Sequence, residues 1–186
     1  MKNLILLLIF FHVHSASAAN SPRLEKISGP NVVTGKIVET KTQKGLVVVF
    51  LSAYCPCSNS HLTELAALSN EHPGYEFIGV HSNSNEKPEE AKKYFKNAGL
   101  PFSVIQDKGG RIADDLKAYK TPHAYIFNQA GEVVYQGGVS NSRDFDRSDR
   151  KYLREALDDL KKGQAVRTPE GRTLGCVISR GDKNVW

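Results

Sequence analysis

The chain has 186 residues, a formal charge of +5 and 24% charged residues. Its charge is dispersed, with Lys and Arg alternating with Asp and Glu from Arg143 to Lys162. A nucleic-acid surface gathers its basic residues into a stripe, so this pattern excludes one and reads as ordinary solvated surface.

Lys2, the apolar run Leu4 to Phe11 and Ala16-Ser17-Ala18 have the build of a secretory signal peptide, too short to span a bilayer well. Cleavage after Ala18 is expected, leaving a signal over residues 1–18 and one domain over residues 19–186. No cysteine stands at the cleavage site, which argues against a lipid anchor, and no later apolar run reaches membrane length. The expected product is exported, periplasmic or secreted, with no stable membrane insertion. About 165 to 170 residues suit one core and leave no room for two. Three cysteines are too few for a small disulfide scaffold, and an odd count in an exported chain points to a working thiol.

Short β-prone pieces at Asn31 to Thr34 and Lys36 to Thr40, joined at Gly35, predict a hairpin. Gly45 opens Leu46-Val-Val-Val-Phe-Leu-Ser52, an unbroken β-branched run that reads as a strand buried on both faces. Pro56 suits the first turn of a helix that His72-Pro73-Gly74 ends. Phe77 to His81 is a second strand. Pro88-Glu89-Glu90 starts a second helix, and Gly99 stops it. Phe102 to Gln106 is a third strand, and Arg111 to Tyr119 predicts a short helix with Ile112, Leu116 and Tyr119 inward. Ala124 to Phe127 and Glu132 to Gln136 flank a turn at Asn128 to Gly131. Arg143 to Arg150 reads as a charged loop, and a last helix runs from about Ser148 to Lys162, capped by Gly163. A tail over residues 164–186 carries Cys176. The order predicts an α/β fold: helices around a central mixed sheet, parallel strands in the middle and the hairpin supplying the antiparallel part.

The chemistry concentrates at Tyr54-Cys55-Pro56-Cys57-Ser58. Cys55 falls at the carboxyl end of the central strand and the amino end of the next helix, the edge where open α/β sheets place their sites. Unpaired N–H groups and the helix dipole there favour a thiolate, the species needed for disulfide exchange and for peroxide attack. Cys57 is open to two readings: a redox partner in a small strained ring, or a thiol turned into the core. Cys176 is either a buried small hydrophobe or a resolving thiol on a tail folded back over the site. No Gly-rich phosphate loop occurs, so no organic cofactor is expected.

These residues resemble the thioredoxin-like superfamily, and within it exported redoxins of the alkyl hydroperoxide reductase/thiol-specific antioxidant group. Cys55-Pro56-Cys57-Ser58 after an apolar strand, Thr121-Pro122, Tyr135-Gln136-Gly137 and Gly175-Cys176-Val177-Ile178 carry the resemblance over nearly the whole mature chain. It implies a thioredoxin-like fold and a thiol–disulfide oxidoreductase, with Cys55 the nucleophile and Cys176 or Cys57 the resolving thiol. It also implies a cis-proline at Pro122, a Thr121 backbone that pairs with substrate, and Ser52 and His123 shaping the pocket. The partners are then a protein disulfide or a peroxide and an external thiol donor. Ser58 fills the second cysteine position of C-x-x-C, and Val48 stands where peroxidases of the group carry proline, so peroxide reduction is expected to be weak at best.

Of the other histidines, His61 and His72 are expected on the surface, and His81 on the same sheet edge as Cys55. The alternative reading is a copper-binding chaperone resembling the Sco family, with Cys55, Cys57 and His123 as ligands. Two thiolates and an imidazole suit Cu(I).

Overall fold

The computed structural model describes residues 23–181, so the expected signal peptide and its cleavage site lie outside the described residues. The chain opens with a hairpin of β1 (Lys26–Pro30) and β2 (Ile37–Lys41). The first arm precedes Asn31, which instead starts the turn. Its Oδ1 accepts hydrogen bonds from the Val33 and Thr34 N–H groups, both at 2.9 Å, and this Asx turn takes the segment out of the strand.

Then follow β3 (Leu46–Phe50), α1 (Pro56–Glu71), β4 (Glu76–His81), α2 (Pro88–Ala98) and β5 (Ser103–Gln106). The chain continues through α3 (Arg111–Asp115), β6 (Lys120–Thr121), β7 (His123–Phe127), β8 (Val133–Gly137), α4 (Tyr152–Lys161) and β9 (Cys176–Val177). The main sheet has the order β5-β4-β3-β7-β8. Strands β3, β4 and β5 run parallel, and β7 and β8 antiparallel, as the sequence predicts.

The unbroken apolar run of β3 is explained by its two faces. Val47 and Val49 pack with Leu65 of α1, Phe95 of α2 and Leu157 of α4, while Val48 and Phe50 pack with Ala113 of α3, Ile27 of β1 and Tyr125. Every position of β3 is fully buried, so a polar residue anywhere in it would face core.

Three expectations need correction. Helix α3 is only five residues long: Lys117 takes a left-handed φ of 54°, and the chain turns outward. Leu116 is buried as expected, Ile112 is half-buried, and Tyr119 is 42% exposed. Helix α4 starts at Tyr152 because residues 145–147 form a separate 3-10 turn, tied by Ser148 Oγ donating to the Phe145 carbonyl at 2.6 Å. His72, expected on the surface, is buried at the end of α1 with Asp158 3.7 Å away.

After α4 the tail returns along β8, with the Gln136 N–H donating to Pro169 O and the Gly171 N–H to Gln136 O, both at 2.9 Å. It then reaches β6, where Cys176 pairs with Thr121. Two motif glycines make this path possible. A side chain at Gly137 would overlap the Gly171 backbone, and one at Gly175 the Thr121 carbonyl oxygen. Beyond β9, buried Arg180 clamps the tail: Nε donates to Asp114 Oδ1 at 2.8 Å and Nη2 to Ala118 O at 2.6 Å.

Candidate active site

Cys55 caps the N-terminus of α1, with Pro56 in the first turn. Its sulfur is buried and lies 3.2 Å from the Thr121 carbonyl oxygen, next to the cis Thr121–Pro122 peptide. Cys57 follows in the same turn of helix, and Cys176 arrives from the tail through its pairing with Thr121. The three sulfurs lie within 4.8 Å of one another, against about 2.05 Å in a disulfide. All three are thiols in this structure.

Burial pushes the Cys55 thiol up, but hydrogen bonding from the Cys176 thiol and the Thr121 hydroxyl, with the Ser58 and Cys176 backbone N–H groups, outweighs it and lowers the pKa. The neighbours move the opposite way. Burial and then the Cys55 charge raise Cys57, and burial and the hydrogen bond to Cys55 push Cys176 up to about 12. Cys55 is thus the thiol of the three that loses its proton most readily, and the two beside it hold theirs.

Below Cys55 the loop rests on a buried carboxylate that the sequence reading missed. Glu86 accepts from Ser52 Oγ at 2.5 Å and from the Ala53 N–H at 2.8 Å, and its Oε2 lies 2.9 Å from His81 Nε2. Burial raises its pKa, but the hydrogen bonds from His81 and Ser52 prevail and keep it below the usual carboxylate range. His81 Nδ1 is held in turn by Gln106 Oε1 at 2.8 Å. The sequence signal was faint: an acid five residues beyond a strand-end histidine, inside the polar run Ser82 to Lys87. Ser52 therefore holds the loop. Its hydroxyl is engaged by Glu86 and also receives the Tyr54 N–H at 3.3 Å. Ser58, buried in the second position of C-x-x-C, accepts from the Ser52 N–H at 3.2 Å.

His123 does not join the thiols. It follows Pro122 in the chain, but its ring stacks on Tyr125 with centroids 4.5 Å apart, on the sheet face packed by α3. Burial lowers its pKa to about 4, so the ring is neutral. The donor set Cys55, Cys57 and His123 is therefore not assembled; among the described residues the sulfur cluster is completed by Cys176. His61 is buried as well: Nδ1 donates to Cys57 O at 2.7 Å, and Nε2 faces Ser140 Oγ at 2.8 Å. It anchors the helix turn that carries Cys57, where the sequence predicts a surface residue.

The backbone edge of Thr121, which the resemblance assigns to substrate, is paired with the chain's own Cys176. Three large apolar side chains close in the chain to the thiol residues or to Thr121 are exposed: Tyr54, Tyr119 and Val177. No helix of the described residues is long and apolar enough to cross a membrane.

Comparison with known proteins agrees with this architecture. The AhpC/TSA family profile matches residues 23–136. The thiol-disulfide oxidoreductase ResA of Halalkalibacterium halodurans is 29% identical over 101 residues, 52% of this chain and 56% of ResA, so the chain spans about half the length of that relative. An uncharacterized conserved protein of Geobacillus kaustophilus superposes with a TM-score of 0.77 at 27% identity, covering 88% of this chain and 93% of its own. The thioredoxin domain of a thiol-disulfide oxidoreductase from Bacteroides vulgatus gives 0.54 at 18% identity, covering 63% and 87%. With its α/β thioredoxin-like fold and this match, the chain belongs to the AhpC/TSA family.

Proposed function

We propose that the chain is an exported thiol–disulfide oxidoreductase in which Cys55 is the nucleophile and Cys176 the resolving thiol. The observation that carries the reading is the Thr121–Cys176 pairing, which brings the tail sulfur within 4.8 Å of the thiol whose pKa is lowered. The Cys55 thiolate attacks one sulfur of a substrate disulfide, and the other sulfur leaves as a thiolate that takes a proton. Cys176 gives up its proton and attacks Cys55 Sγ, expelling the second substrate thiol. The Cys55–Cys176 disulfide then holds the two electrons' worth of oxidation until an external dithiol reduces it.

Cys176 is favoured over Cys57 for this step because it comes from a two-residue strand of the tail and not from the helix turn next to Cys55. Cys57 is fixed in the first turn of α1, and its ring with Cys55 would be strained. Exposed Tyr54, Tyr119 and Val177, close in the chain to the thiol residues or to Thr121, suit a polypeptide substrate. Peroxide is a poor second substrate, since the Ser52 hydroxyl that would orient it is bound to Glu86. The signal-like N-terminus supports a periplasmic or secreted location, where disulfide substrates persist.

Peptide mapping tests the assignment. Mild oxidation is expected to give a Cys55–Cys176 disulfide with Cys57 free, and Cys176→Ser is expected to accumulate mixed disulfides through Cys55. Recovery of only a Cys55–Cys57 bond, or no mixed disulfide in the variant, would overturn it.

A further inference from the structure

The redox cycle leaves Cys57 without a part, although His61 holds its turn of helix and its sulfur faces the other two. We propose that the reduced chain is also a three-thiolate site for a soft monovalent cation, Cu(I), held by Cys55, Cys57 and Cys176. Three sulfurs equidistant from an ion at about 2.3 Å in a plane are about 4.0 Å apart. Here all pairs fall within 4.8 Å, so the triangle closes by shifts of under about 1 Å.

The donor set selects the ion. Among the described residues no imidazole or carboxylate belongs to the cluster, so a fourth ligand is not supplied. Zinc in structural sites is almost always four-coordinate, whereas an all-thiolate, low-coordinate site suits Cu(I). The two helix-borne sulfurs are buried, and half-buried Cys176 opens the way in, so the tail that carries the resolving thiol also closes over the ion. Binding transfers no electrons: each thiol taken by the ion releases its proton to solvent. The Cys55–Cys176 disulfide removes two of the three ligands, so metal loading and the oxidised state exclude one another.

The test uses reduced chain 19–186 under anaerobic conditions, titrated with Cu(I) against bathocuproine disulfonate. The expected result is one copper per chain, three sulfur neighbours and no nitrogen by copper X-ray absorption, and at least a hundredfold weaker binding in Cys57→Ser. Oxidation before titration is expected to abolish uptake. Two sulfur neighbours, Cys57→Ser binding as well as the parent, or a tighter site for Zn(II) than for Cu(I) would each overturn the proposal. Circular dichroism of the variant guards against a folding defect, and the absorption spectrum of the parent decides the ligand count without any variant. Disulfide mapping on copper-free protein scores the oxidoreductase reading separately, so either can fail alone.

Discussion

The two sides of the thiol site are built differently. Cys55 stands on a strand–helix junction whose strand is buried at every position and whose loop is tied to Glu86 beneath it. Cys176 stands on a tail held by a two-residue pairing, two close glycine contacts and one buried arginine. The first side belongs to the core and the second is an attachment to it. In the proposed cycle the nucleophile needs fixed electrostatics, whereas the resolving thiol must approach, bond and leave. Disturbing the first side should therefore cost global stability, and disturbing the second should cost disulfide closure.

The largest effect is expected at Glu86. Glu86→Gln puts an amide among the donors Ser52 Oγ–H and Ala53 N–H and deprives His81 of its carboxylate. Urea unfolding is expected to show a loss of about 3 kcal/mol, the upper end for leaving buried hydrogen-bonding groups without their partner. A loss below about 1 kcal/mol would mean that the loop does not depend on this carboxylate.

Arg180→Met comes next and acts on the tail. It removes the hydrogen bonds to Asp114 and Ala118 O, at a local cost of about 2 kcal/mol. Amide exchange should rise around residues 176–180 while β3 and α1 keep their protection. Uniform loss of protection would make the tail part of the core and remove the distinction.

Much of this was legible in the sequence, and what was missed has a common cause. The run Leu46 to Phe50 announces a strand buried on both faces by composition alone, and Cys55 follows by position. Tyr135-Gln136-Gly137 and Gly175-Cys176 could be recognised as motifs, but their reason is visible only in the fold: both glycines are where the tail touches the backbone. The burial of Glu86, Arg180, His61 and His72 is invisible in the sequence, because periodicity sees only an element's own face. Each lies against a segment distant in sequence: Glu86 the Ser52 loop, His61 Ser140 and Phe145, His72 Asp158 of α4, and Arg180 the α3 turn.

Gly175→Ala is the narrower probe of the attachment. The added carbon meets the Thr121 carbonyl oxygen, so β9 must shift, at a cost of about 1–2 kcal/mol borne by the tail. Closure of the Cys55–Cys176 disulfide, followed by quenched alkylation, should slow by about tenfold, since 1.4 kcal/mol is a factor of ten. Unchanged closure would show that the pairing with Thr121 does not position Cys176.

The smallest effect separates the sheet's other face from both sides of the site. His123 is neutral in the fold because burial lowers its pKa to about 4, from 6.5 in a free side chain. Between those values the unfolded chain binds the proton and the folded chain does not, so stability rises with pH through this window and falls as pH is lowered. From pH 6.5 to 5.5 the fall from this group is about 1 kcal/mol. Buried His61 and His72, whose pKa values burial also lowers, add in the same direction. His123→Phe keeps a ring against Tyr125 and removes the titrating nitrogens, of which Nδ1 lies 3.4 Å from the Tyr125 hydroxyl. Parallel urea curves at pH 6.5 and 5.5 should show the variant losing less stability than the parent on acidification. Because His123 lies away from the thiols, the rate of Cys55 alkylation should follow the same pH profile in both. A profile that moved with the substitution would bring the imidazole back into the thiol site.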